Sequence, residues 1–319
     1  MLTRANASLP HTGIATFCKA PYIHNWPDLK ADVAVLGVPY DGMASMRPGC
    51  RQAPRAIRDA STRFGWLGRP DGSVGYFDLA NEQTRMKGVR IVDAGDVDVS
   101  LDAEVTRSAV TAAVRTLLES ETMPVVLGGD HSISFPAIEA YSSYAPVTVV
   151  LLDAHLDYRD SFLGLKYSNN SPFRRASELG FIQQILTLGV RGIKSTDQEY
   201  RESLSRGNVI VSADFIHDQG VQHALDLLPQ SIGNYYLSID IDGLDPSIAP
   251  GTESPEAEGL TFSQAKKIVR GIATRGTLVG LDLVELNPYL DHSELTQHVA
   301  VQLLIEAIST RNFGHRANG

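Results

Sequence analysis

Cysteine is scarce in this chain. Cys18 and Cys50 are the only two among 319 residues, too few for a disulfide framework, and neither belongs to a CxxC pair or a Cys/His cluster. Both are expected to pack as small apolar side chains in a reduced, cytoplasmic protein. Basic residues are also in short supply, 28 against 37 acidic, for a formal net charge of −9. That deficit argues against nucleic acid or an anionic membrane surface as a partner. No apolar run approaches the roughly 18 to 20 residues of a membrane helix. The N-terminal MLTRANASLPHTGIATF has no signal-peptide core either. No low-complexity linker or internal repeat divides the chain. One domain over 1–319 is therefore expected, with the Pro-, His- and polar-rich residues 1–30 as an irregular arm.

What is present is a regular alternation. Short apolar, β-branched runs predict strands at 32–38, 89–92, 124–127, 147–152, 184–190, 209–212, 235–241 and 278–284. Helical spacing predicts helices from about Pro54 and over 101–120, with Asp102 as cap, then 134–141, 196–204, 221–228, 263–274 and 295–309. The segment DAGDVDVS after Val92 reads as a loop. Strands this uniformly apolar require cover on both faces. The alternation implies right-handed βαβ units, hence an α/β fold with one parallel, doubly wound sheet of about eight strands. Arg47, Arg51, Arg55 and Arg58 read as a solvated or salt-bridged face.

Three of these strands end in residues able to bind metal. His131 follows the third, Asp153, His155 and Asp157 follow the fourth, and Asp240 and Asp242 close the seventh. Side chains alternate faces along a strand, so Asp240 and Asp242 are expected to share a face of the seventh strand roughly 6 to 7 Å apart, with no basic residue following before Lys266. Buried carboxylates without a cation are costly. Carboxyl ends of parallel strands lie on one edge, where ligands bind, so the six side chains can converge. Four carboxylates and two imidazoles suit two divalent ions, manganese before zinc, with nickel also compatible. Two ions about 3.5 to 4 Å apart can share a water and lower its pKa, which points to hydrolysis.

The motifs GGDHS (128–132), DAHLD (153–157) and SIDIDGLDPSIAPGT (238–252) together resemble the ureohydrolases, the arginase and agmatinase family, and its agmatinase-like branch most. GVPYD, RPG, PRAIR, DAGDV, PFRRA and LVELNP match in the same order. The resemblance implies an arginase-like three-layer α/β/α fold with a central eight-stranded parallel sheet. It also implies a binuclear manganese site and assembly as trimers or hexamers. By the same resemblance His131, Asp153, His155, Asp157, Asp240 and Asp242 are metal ligands, with Asp153 and Asp240 bridging. Glu285 contacts the substrate guanidinium, which a carboxylate can bind through paired hydrogen bonds. Asp157 is the first candidate for general acid.

Two departures bear on substrate. Where the family carries a histidine before PFRRA, this chain has Asn169, which hydrogen-bonds but does not exchange protons near neutral pH. His292 or His217 could replace it only if the fold brings them near. Glu253 and Glu258 stand where glycines are expected. An inward Glu253 would bind a cationic tail and penalise an anionic one, favouring agmatine, guanidine or a biguanide over guanidino acids. Two alternatives stand beside this reading: a formimino or amidine hydrolase of the same fold, and a weakly active or non-catalytic subunit paired with an active paralogue.

Overall fold

Eight parallel strands carry the site. In the computed structural model, which describes residues 9–26 and 29–313, they are β1 (Val33–Gly37), β4 (Ile91–Asp96), β5 (Met123–Leu127), β6 (Val147–Leu152), β7 (Ile182–Val190), β8 (Val209–Ser212), β9 (Gly233–Asp240) and β10 (Gly276–Val284). Their spatial order is β4-β1-β5-β10-β9-β6-β7-β8. A small antiparallel hairpin, β2 (Tyr76–Asp78) and β3 (Gln83–Arg85), stands apart.

Alternating apolar side chains give the sheet two buried faces. Val33, Val35, Val125, Val150 and Leu152 enter one core cluster with side chains of α1 (Ala53–Ser61), α6 (Ala213–Asp226), α7 (Phe262–Ala273) and α8 (Leu295–Thr310). Ala34, Leu36, Val126, Val149 and Leu151 enter the other with α2 (Ala103–Glu119), α3 (Ser134–Glu139) and α4 (Pro172–Ala176). The remaining helix, α5 (Asp197–Ser205), carries a capping box from Thr196 and Glu199. Asp102 caps α2 as expected, its side chain accepting from Glu104 N. No helix among the described residues is long and apolar enough to cross a membrane.

Several boundaries differ from the sequence reading. The strand expected over 89–92 is β4, which runs on through DAGD because Asp93 and Asp96 are paired by Arg58. The helix expected from Val221 begins at Ala213, capped by Ser212, and Gly220 at φ 84° interrupts it. Helix α4 and the β2–β3 hairpin were not anticipated. Of the irregular arm, residues 1–8, 27 and 28 lie outside the described residues. The rest forms a short 3-10 turn at Phe17–Lys19 and a bridge from Tyr22 to Asp93.

One difference changes the chemistry. β9 ends at Asp240, and Asp242 lies in a 3-10 turn, Ile241–Gly243, whose first N–H groups Asp240 caps by accepting from Asp242 N at 2.8 Å. The expectation of two carboxylates on one strand face is therefore wrong. The cap folds the chain back, and the two acids point into different clusters.

Candidate metal centre and cleft

The four central strands β5, β10, β9 and β6 are neighbours, and each delivers one piece of the site at its carboxyl end. His131 opens the turn after β5, Glu285 follows β10, Asp240 ends β9 with Asp242 just beyond it, and Asp153, His155 and Asp157 follow β6. Two buried clusters result. One joins His131, Asp153, Asp157 and Asp240; the other joins Asp153, His155 and Asp242; ligand atoms within each lie inside 4.8 Å. The shared member is Asp153, while Asp240 belongs only to the first.

The atoms converge without bonding one another. His131 Nδ1 lies 2.9 Å from Asp157 Oδ2, 3.1 Å from Asp240 Oδ2 and 3.4 Å from Asp153 Oδ2. Yet His131 Nδ1 and Asp153 Oδ2 are both buried with no hydrogen-bond partner. In the second cluster His155 Nδ1 is 3.1 Å from Asp242 Oδ2 and 3.5 Å from Asp153 Oδ1. Among the described residues, the ion pairs of these carboxylates are to the two imidazoles and none is to a lysine or arginine.

Hydrogen bonding sets the imidazole orientation. Ser238 Oγ donates to Asp282 Oδ1 at 2.6 Å, and Tyr236 donates its hydroxyl to Asp282 Oδ2 at 2.8 Å. The serine has one proton to give, so it accepts from His131 Nε2 at 3.1 Å. That leaves Nδ1 as the ring atom facing the carboxylates, the arrangement a metal-ligating histidine needs. Glu256 Oε1 stands 3.5 Å from His155 Nε2 in the matching position.

Charge in the clusters is unbalanced. Burial disfavours a charged His131, but the carboxylates of Asp157 and Asp240 beside Nδ1 outweigh it and raise its pKa well above the ordinary value. Burial likewise opposes charge on His155, while Asp242 and Asp153 push its pKa up to about 12. Asp240 and Asp153 are raised, first by burial and then by neighbouring aspartates. All four shifts describe an anionic hole that draws in protons when nothing else neutralises it. The donor set, the orphaned atoms and this charge deficit fit a pair of divalent cations.

A cleft of about 260 Å³ opens onto the clusters and is lined by His155, Asp157, Asp240, Asp242, Asn169 and Glu285. Glu285 adopts φ 63° and Asp157 φ 45°, a region uncommon for residues other than glycine. Glu285 is held by its own N–H on Gly129 O at 2.9 Å and by His131 N donating to its Oε1 at 2.7 Å. Burial, then Glu253 and Asp130, raise its pKa well above the usual range. Asn169 is 8% exposed, and its Oδ1 accepts from Asn170.

Glu253 points inward and Glu258 outward. Glu253 is not among the residues lining the cleft; its Oε1 accepts from Ser45 Oγ at 2.9 Å and Met46 N at 2.7 Å. Its carbonyl accepts from Arg47. His217 lies against Glu258 O and Gln264, His292 is exposed, and neither lines the cleft.

Some of the site was missed in the sequence. Arg191 is buried and donates to the carbonyls of Asp242, Gly243, Leu244 and Glu256, so the region behind Asp242 does contain a cation, supplied by the end of β7. Its place at a strand end was the available signal. Asp282 was signalled by a charge inside the otherwise apolar run GTLVGLDLV. Cys50 donates to Glu285 Oε2 at 3.5 Å rather than packing among apolar neighbours alone, and nothing in its sequence surroundings shows this.

Comparison with known proteins follows the same lines. The arginase family model matches residues 31–309. Human mitochondrial guanidino acid hydrolase is 35% identical over 283 residues, 87% of this chain and 77% of that protein. Proclavaminate amidinohydrolase of Streptomyces clavuligerus is 31% identical over 318 residues, 98% of this chain and 97% of its own. The solved structure of that enzyme superposes with a TM-score of 0.85 at 29% identity, covering 96% of this chain and 99% of its own. Guanidinobutyrase of Pseudomonas aeruginosa is 32% identical over 304 residues, 93% of this chain and 92% of its own. With the family model spanning most of the chain and relatives above 30% identity over nearly its whole length, the chain belongs to the arginase family.

Proposed function

We propose that this arginase-family hydrolase cleaves a C–N bond of a guanidino compound to release urea and an amine. The observation that carries the reading is the pair of buried clusters joined at Asp153, with His131 Nδ1 and Asp153 Oδ2 left without partners. His131, Asp153, Asp157 and Asp240 would hold one divalent cation and Asp153, His155 and Asp242 the other. Manganese suits the oxygen-rich set best and nickel next. When bound, such a pair would supply water activated at neutral pH for hydrolysis of the guanidino group.

The chain's own residues do the rest. Glu285, at the cleft wall, accepts N–H bonds from the guanidinium and keeps its carbon facing the clusters. Asp157 is the most solvent-open carboxylate of the first cluster, with 12% of its side chain exposed, and can pass a proton to the departing nitrogen. Asn169 hydrogen-bonds substrate without exchanging a proton. The inner end of the cleft is anionic and favours compact cations, so guanidine, agmatine or a biguanide is the first substrate choice. Glu253 adds to that field from behind Glu285 rather than by touching a tail. A guanidino acid is the second choice, because Arg159 and Lys194 line the outer cleft with Glu199. The relatives named guanidino acid hydrolase and guanidinobutyrase add weight to it. A homo-oligomer, trimer or hexamer, is proposed alongside and is checked by light scattering.

The test is urea release from guanidine, agmatine, biguanides, guanidinobutyrate and arginine by protein loaded with manganese or nickel. Urea from at least one substrate, abolished by chelation, is the expected result. No urea from any of them sinks the proposal, and formamide from an amidine substrate would favour a formimino hydrolase. Preference for guanidinobutyrate, weakened in Lys194→Ala, would decide for the acid.

A further inference from the structure

At the cleft wall lies a third cluster, of which the reaction uses only Glu285. Cys50, Glu253 and Glu285 place a thiol sulfur and two carboxylate oxygens within 4.8 Å of one another, all buried. Cys50 is fully buried but belongs to neither apolar core cluster; its Sγ lies 3.5 Å from Glu285 Oε2. Glu253 is 2% exposed, and its Oε2 has no hydrogen-bond partner.

The three residues are held in place by bonds that leave donor atoms over. Ser45 Oγ and Met46 N occupy Glu253 Oε1, and His131 N occupies Glu285 Oε1. Arg47, the nearby guanidinium, donates to the carbonyls of Thr252 and Glu253 and leaves the carboxylate unpaired. A buried acid oxygen without a donor, beside a second buried acid, is costly unless a cation joins them. The donor set differs from that of the two clusters at Asp153. One sulfur with two oxygens favours zinc or cobalt, where four carboxylates and two imidazoles favour manganese.

We propose that Cys50, Glu253 and Glu285 form a separate site for a thiophilic divalent cation such as zinc, and that its occupation withdraws Glu285 from the substrate. Glu285 borders the cleft, which gives the ion its route. Binding displaces the Cys50 proton to solvent, and the thiolate then ligates the ion. The inhibitory half rests on Glu285 as the guanidinium contact; the binding half does not.

Cobalt(II) titrated into the manganese-loaded protein reads the site directly, because a thiolate ligand gives cobalt a sulfur-to-metal charge-transfer absorption. The band is expected at one equivalent in the wild type, absent in Cys50→Ser and Cys50→Ala, and removed by zinc. Circular dichroism checks that both variants fold. Zinc is then titrated into urea-release assays, each protein being scaled to its own zinc-free rate. Half-inhibition is expected to need at least about 10- to 100-fold more zinc in Cys50→Ser, since loss of an outer partner alone costs a metal site that much and Cys50 is a direct ligand. No thiolate band in the wild type, or an equal band in both cysteine variants, overturns the site. A band that depends on Cys50 while zinc leaves turnover unchanged overturns the inhibition and with it the role of Glu285, leaving urea release itself intact.

Discussion

Two groups of acids, each with a buried member at its centre, sit on the same edge of one sheet and are neutralised in opposite ways. At the end of β4, Asp93 accepts from Arg58 Nε at 2.8 Å and Nη2 at 3.0 Å, and Asp96 accepts from Nη1 at 2.6 Å. That guanidinium comes from α1 and completes the group with protein atoms alone. At the ends of β6 and β9, Asp153, Asp157, Asp240 and Asp242 pair with two imidazoles and, among the described residues, with no lysine or arginine. Arg191 reaches only carbonyls nearby. The same geometry thus yields a structural clamp where the chain supplies the cation, and a candidate metal centre where it does not.

Substitutions should separate the two groups. Asp153→Asn removes the acid common to both clusters, and urea release is expected to fall by about 10²- to 10³-fold, as when one electrostatic group is lost at a reacting centre. The metal-free variant should be no less stable than wild type, since a buried repulsion is relieved. Arg58→Ala does the reverse. Leaving Asp93 buried and unpaired is expected to cost about 3–5 kcal/mol of stability, read by chemical denaturation, with manganese content unchanged. If Arg58→Ala loses metal and keeps its stability, the contrast fails.

Protons sharpen the same distinction. In the metal-free protein Asp153 is raised, first by burial and then by Asp157 and Asp242. A group with a raised pKa holds its proton to higher pH, so an incoming cation must expel it. Manganese affinity is therefore expected to rise with pH through the neutral range, by about tenfold per unit for each proton released. Calorimetry in buffers of different ionisation heat measures that release, and a flat profile would tell against it. The smallest effect is expected at Asn169→His, which should change kcat by less than about tenfold and add an ionisation near the ordinary histidine pKa of about 6.5 to the pH–rate profile.

Much of this was legible in the sequence for a physical reason. Uniformly apolar strands define a parallel sheet, and parallel strands bring their carboxyl ends together, so His131, Asp153, His155, Asp157, Asp240 and Asp242 could be gathered without coordinates. What failed depended on side chains closing short loops. The cap of Asp240 on Asp242 N turns the chain one residue earlier than the apolar run suggests. Arg58, read as part of a solvated or salt-bridged face, clamps Asp93 and Asp96, whereas Arg191 at its strand end meets carbonyls. Glu253 was recognised as unusual, but its latch to Ser45 and Met46, and its place beside Cys50 behind Glu285, join segments about 200 residues apart.

The most direct test of the central claim is the manganese content of protein stripped with chelator, reloaded and measured by atomic emission. Two ions per chain are expected in the wild type, with both lost or greatly weakened in Asp153→Asn and one retained in His155→Ala. A single ion in the wild type, or two in Asp153→Asn, would contradict a centre built around Asp153.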